Sequence, residues 1–210
     1  MDIRPAPVID ELALLDWRRR VAELYAEVRT SSDPAAGWRR WRQTRAALFA
    51  EHPQSPVPPA QRRGYSGPHV YDYDPAWRVL AHVKPAEHER LEPATSNADA
   101  MRFSRFARAH FTVDGQALSL ELYLFEGYGG GLFVAFADAT SGHETYGGGR
   151  YLLDTVKGAD LGSQDGRLVL DFNFAYQPSC SYDPRWTCPL APAANRLPLA
   201  VRSGERVAAD

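Results

Sequence analysis

The chain has 210 residues, enough for one sizeable hydrophobic core and short for two. Hydrophobic side chains make up 44% and charged ones 24%, a globular balance that excludes an intrinsically disordered chain. A net charge of -2 argues against a nucleic-acid binder, and no stretch approaches the ~18 apolar residues of a membrane span.

The charge is mildly uneven. Residues 1–63 carry 11 arginines against 8 acids, while the rest carries 13 basic against 18 acidic side chains. The N-terminus lacks a basic segment followed by an apolar run, and two cysteines are too few to staple a secreted scaffold of this size. A cytoplasmic protein is therefore expected.

In chain order, Leu14, Trp17, Val21, Leu24 and Val28 recur at three-four spacing and predict one amphipathic helix. Ser31-Ser32-Asp33-Pro34 breaks it and starts a second, because a capping side chain precedes a proline at a first helical position. That helix should run from about Ala35 to Ala50 with Trp38, Trp41, Leu48 and Phe49 inward and Arg39, Arg40, Arg42 and Arg45 on a solvated face. A proline-rich connector follows, from His52 to Pro59.

Beyond it the period changes from 3.6 to two. Alternation predicts strands at Trp77–Val83, Met101–Val113 and Leu118–Leu124, with Asp114-Gly115 as the hairpin turn between the last two. Leu132–Ala137, Tyr151–Leu153 and Arg167–Phe174 read as further strands, the last preceded by the turn Asp165-Gly166. Strand follows strand with no crossover helix. The expected fold is mainly β within the α+β class, an antiparallel β barrel or sandwich carrying an N-terminal two-helix arm. Residues 1–60 would form the arm and its connector, and residues 61–210 the β domain.

Two stretches are too unusual for ordinary connectors. One runs from Asp138 to Arg150 and holds Glu144-Thr-Tyr-Gly-Gly-Gly-Arg150. The other runs from Asp171 to Arg196 and holds Asn173, Tyr176, Cys180, Cys188 and Asn195 among four prolines. Together with Leu170-Asp-Phe-Asn-Phe-Ala-Tyr176, Cys188-Pro-Leu-Ala-Pro192 and Asn195-Arg-Leu-Pro198, the first string resembles the bacterial family called domain of unknown function 1684. The likeness spans roughly Ser55 to Glu205 and departs from the pattern at Gln177 and Ala194. It implies a soluble, largely β bacterial protein and brings no activity with it.

Chemistry must come from the residues themselves. Three glycines can turn backbone N–H groups toward one point, and Arg150 after them offers a planar five-donor fork suited to a carboxylate or phosphate. The plain alternative is a tight bend with Arg150 paired to Glu144 or Asp138. Asp138, Glu144 and Asp171 are the candidate general acids and bases, or else acceptors for backbone donors of neighbouring loops. Cys180 and Cys188 are separated by seven residues, too far apart for a zinc knuckle, and the histidines are scattered. Reduced thiols or a disulfide bracing the loop are the expected states, and no metal is expected. The sequence names no cofactor.

Two functional readings result. In the first, a small polar or acidic ligand binds between loop 144–150 and loop 176–196. Arg150 would clamp it, Tyr146 and Tyr176 would wall the site, and Asn195 with its neighbour Arg196 would supply hydrogen bonds. Glu144, Asp138, Asp171 and Asn173 complete that candidate set. In the second, both loops are structural plugs and the protein is a non-catalytic interaction module that uses its helical arm.

Overall fold

A computed structural model describes residues 8–92, 94–96, 101–127 and 129–208, with side chains from Glu11 onward. Two long helices come first, α1 (Val8–Thr30) and α2 (Pro34–Glu51). Asp33 caps α2, its carboxylate accepting from the Ala35 N–H at 2.9 Å, with Pro34 in the first turn. Leu24, Trp38, Trp41, Leu48 and Phe49 are buried as their spacing predicts. Leu14 is not. It stands 42% exposed. After a short helix α3 (Pro59–Arg62), the chain is β.

Among the described residues seven antiparallel strands follow: β1 (Arg78–Leu91), β2 (Phe103–Val113), β3 (Gln116–Phe125), β4 (Gly131–Phe136), β5 (Arg150–Asp154), β6 (Ser163–Gln164) and β7 (Arg167–Asp171). They form one sheet of order β5-β4-β3-β2-β1-β7-β6, curled into a half-barrel. Both expected hairpin turns are present. Asp114 (φ 49°) with Gly115 (φ 76°) joins β2 to β3, and Asp165 (φ 52°) with Gly166 (φ 71°) joins β6 to β7. Left-handed conformation at both central residues is what the right-handed twist of the flanking strands requires.

Three strand expectations are corrected. Trp77 belongs to a one-turn 3-10 helix capped by Asp74, so β1 starts at Arg78, and it continues to Leu91. Past Ala81 it pairs with β2 alone, and the open edge carries Lys84, Pro85, Glu87, Glu89 and Arg90, residues that discourage edge-to-edge association. β7 stops at Asp171, whose carboxylate accepts from the Asn173 N–H at 3.0 Å and turns Phe172–Phe174 into another 3-10 turn. On β3 the alternation breaks: Glu121 and Tyr123, on the expected polar side, are buried, while Leu124 is exposed. The cause is that the sheet is covered on both faces.

On one face the helices pack, with Leu24, Trp38 and Trp41 sharing a core with Ala81, Ala109, Leu120, Phe136 and Leu152. On the other, the C-terminal loop brings Cys188 and Trp186 against Phe103, Tyr123, Phe133 and Tyr151. Among the described residues no helix is long and apolar enough to cross a membrane.

Candidate functional site

The Gly-rich loop doubles back on itself before entering β5. The Thr140 carbonyl accepts N–H bonds from His143, Glu144 and Thr145 at 2.9–3.1 Å, which tightens the turn. Gly149 (φ 90°) passes beneath β4 so closely that a Cβ there would meet the Phe136 carbonyl oxygen at 2.5 Å. Only glycine fits both demands. Arg150 thus enters β5 with its side chain directed inward, fully buried.

Its guanidinium is consumed from within. One terminal nitrogen donates to Asp138 Oδ2 and to the Val201 carbonyl, both at 2.8 Å. The other donates to the carbonyls of Glu205, at 3.1 Å, and Ser203. Phe136 lies against the cation, 5.1 Å from ring centroid to Cζ. Burial pulls the Arg150 pKa down and the Asp138 carboxylate pushes it back. Asp138 also accepts from the Thr140 N–H (2.7 Å) and hydroxyl (2.6 Å) and from the Val201 N–H (3.3 Å). Of the two partners open to Arg150 in the sequence, Asp138 is the one it takes.

Glu144 faces outward instead. Arg202 grips it in a bidentate fork at 2.7–3.1 Å, and the Tyr71 hydroxyl donates to it at 2.9 Å. Those bonds hold its carboxyl below the usual range. Asn173 is buried and joins three segments: it accepts from the Asp74 N–H and the Ser203 hydroxyl, and donates to the Asp74 carbonyl and to Asp171. Asp171 itself is pushed up to about 6 by burial, against the Asn173 bonds and Arg78 at 3.8 Å. Asn195 mimics a missing strand partner. It accepts from the Glu121 N–H at 2.7 Å and donates to the carbonyls of Glu121 (3.0 Å) and Ala135 (2.9 Å), where β3 and β4 no longer pair.

A second buried centre escapes a reading of the sequence. Arg45, expected on a solvated helix face, points inward. Its guanidinium meets Glu205 at 2.7–2.8 Å and lies over the rings of Trp41, Phe49 and Tyr176. Its spacing four residues from both Trp41 and Phe49 was the available signal, since it sits on the apolar stripe itself. Glu205 also accepts from the Gln177 N–H at 2.8 Å and the Tyr182 hydroxyl at 3.3 Å. Its backbone carbonyl meanwhile serves Arg150, so one residue of the C-terminal strap joins both ion pairs.

The candidate residues are therefore not gathered around one cavity. Arg150 and Asp138 pair; Asp171 and Asn173 pair; Asn195 braces the sheet; Arg196 is exposed. Tyr176 stacks edge-on against Tyr151, with which it also exchanges backbone hydrogen bonds. Tyr146 connects the two unusual loops, its hydroxyl 3.7 Å from Cys180 Sγ. Two open grooves lie elsewhere: about 590 Å³ between α1 and α2, lined by Asp16, Arg20, Glu23, Arg40 and His52, and about 550 Å³ over the sheet beside His82, His110 and Arg167. Among the described residues no three His, Cys, Asp or Glu side chains are grouped to hold a metal.

Comparison with known proteins adds a family and a solved fold. The family described as "Protein of unknown function (DUF1684)" matches residues 63–206. The solution NMR structure of the uncharacterized protein from gene locus rrnAC0354 of Haloarcula marismortui is 36% identical, with a TM-score of 0.60, covering 82% of this chain and 93% of its own. No curated protein matches.

Proposed function

The chain belongs to the family of proteins of unknown function DUF1684, and from its own residues we propose that it is a non-catalytic interaction module whose two unusual loops are structural closures. The observation that carries this reading is the burial of Arg150, with both terminal nitrogens already bonded to Asp138 and three tail carbonyls. A small polar or acidic ligand between loops 144–150 and 176–196, the competing reading, needs such a donor free. Only Nε of that fork has no partner.

The contact surface of this module is the start of α1. Leu12 and Leu15 are 59% and 52% exposed on the first turns of α1 and offer apolar surface to a partner. Glu11, Leu15 and Arg19 fall at successive spacings of four along one exposed stripe. A second copy packed antiparallel about Leu15 sets each Glu11 against the other chain's Arg19 and buries both leucines, a self-complementary two-fold contact. The partner is thus a second copy of this chain.

Sedimentation of the purified protein between micromolar and sub-millimolar concentrations tests it. We expect twice the chain mass at the upper end, and the single-chain mass throughout for Leu15→Glu with an unchanged melting temperature. A wild-type protein that stays monomeric over the whole range overturns the self-association. Stabilisation by any small acid that is abolished in Arg150→Lys would restore the ligand reading.

A further inference from the structure

Cys180 and Cys188 are both free thiols, and they are brought together by the fold rather than by the sequence. Cys180 lies on a one-turn 3-10 helix (Ser179–Ser181) and is half-buried. Cys188 returns beneath it, buried against the second face of the sheet, and its sulfur accepts the Cys180 N–H at 3.3 Å. The Cys188 backbone is pinned from the far side by Ser96, whose hydroxyl accepts its N–H at 3.0 Å and whose own N–H donates to its carbonyl at 2.9 Å. The Cys188 sulfur thus lies against the Cys180 backbone, and Tyr146 from the Gly-rich loop approaches Cys180 Sγ at 3.7 Å.

We propose that this pair is a peroxide-sensitive dithiol, with Cys180 as the attacking sulfur and Cys188 as the resolving one. An attacking thiol needs solvent access and a neighbour that stabilises its thiolate, and a resolving thiol needs only to be close. Cys180 meets the first condition and Cys188 the second. The Cys188 thiol lowers the Cys180 pKa, burial opposes it, and the Tyr146 hydroxyl lowers it further, to about 6. Cys188 is raised by the Cys180 beside it and by burial. The charge of Lys157 pulls the Cys188 pKa down a little, and Tyr151 packs beside Cys188 from β5 with its own pKa raised chiefly by burial. Tyr146 is raised to about 12 by burial and by Cys180, so it remains a donor at neutral pH.

The electrons balance with a hydroperoxide as oxidant. The Cys180 thiolate attacks the terminal oxygen, the O–O bond breaks, and the departing alkoxide or hydroxide takes a proton to leave as alcohol or water. Cys180 is then a sulfenic acid. Cys188 sulfur attacks Cys180 sulfur, an S–S bond forms, the S–O bond breaks, and hydroxide leaves with the Cys188 proton as water. An external dithiol reverses the sequence by exchange. This site is independent of the self-association proposed above and survives its failure.

Stoichiometric hydrogen peroxide on the reduced full chain should remove both titratable thiols. It should lower the intact mass by two hydrogens within one chain, with dithiothreitol restoring both. Cys188→Ser should instead trap one oxygen on Cys180, captured by dimedone. The wild-type rate of alkylation by iodoacetamide should rise with a midpoint near pH 6, and Tyr146→Phe should move that midpoint upward. Two thiols that persist in peroxide, a link between separate chains, or an alkylation midpoint above pH 8 in folded wild-type protein would each overturn the proposal, even if a variant failed to fold.

Discussion

At the scale of single residues, the molecule uses polar side chains as substitutes for missing secondary structure. Asn195 stands in for a strand partner, Asn173 for a turn, and Asp171 caps a 3-10 turn with one carboxylate oxygen. Asp171 is the one whose protonation has a measurable consequence. Burial raises its pKa to about 6 in the folded chain, against an unfolded value near 3.9. The folded state therefore binds the proton more tightly, so this group favours folding below about pH 4 and loses that contribution as pH rises through about 6. Two units correspond to roughly 2–3 kcal/mol. Glu144 and Glu121 run the other way, both held below the ordinary range, so the wild-type profile alone is a composite. Asp171→Asn isolates the effect, because an amide oxygen still accepts from Asn173. Urea melts from pH 4 to 7 should show the variant gaining on the wild type as pH rises and levelling off above about 6.5. A difference that stays flat with pH would show that Asp171 is ionised throughout.

At the scale of elements, legibility followed the backbone rule each element obeys. The two hairpin turns and the capped start of α2 need particular residues at particular offsets, so Asp114-Gly115, Asp165-Gly166 and Asp33-Pro34 announced themselves. The candidate site was legible only as two odd loops. Nothing local says that Arg150 points inward or that residues 201–205, a plain tail in the sequence, would pass over it and supply three carbonyls. The loops and the tail are one closure, and Arg150 is its keystone. Truncation to Ala leaves Asp138 buried without its charge partner and three carbonyls without donors, a loss of about 3–5 kcal/mol. Lysine keeps the charge but cannot reach four acceptors with one nitrogen, so Arg150→Lys should lose about 1–3 kcal/mol. Thermal melts of both variants should fall in that order, and a panel of small acids should leave each midpoint where it was. Equal melts for wild type and Lys would remove Arg150 from the closure.

At the scale of the whole molecule, the sequence suggested an arm beside a body, since the hydrophobic period changes sharply after residue 60. Periodicity, however, reports which face of an element is apolar, not what that face meets. Here the faces meet each other: Trp41 is wholly buried and packs edge-on against Phe174, and Trp38 lies against Tyr73. Arg45 crosses the same boundary to neutralise Glu205, which is itself fully buried in the tail. A chain of residues 61–210 would lose the cover over Ala81, Ala109 and Phe174, and would keep a buried carboxylate with no cation. Losing a Trp from such a core costs about 3–5 kcal/mol by itself, and leaving a buried charge unpaired costs a similar amount. The sum is comparable with the roughly 5–15 kcal/mol that holds a typical domain folded. Residues 61–210 made alone should therefore be collapsed without fixed packing: far-UV circular dichroism retained in part, near-UV signal lost, and the dye ANS bound. Adding residues 1–60 as a separate chain should restore the near-UV signal, whereas the same segment carrying Trp41→Ala and Arg45→Ala should not. A cooperative melt from residues 61–210 alone would mean that the sheet and its closure are self-sufficient and that the helices are the appendage their sequence suggests.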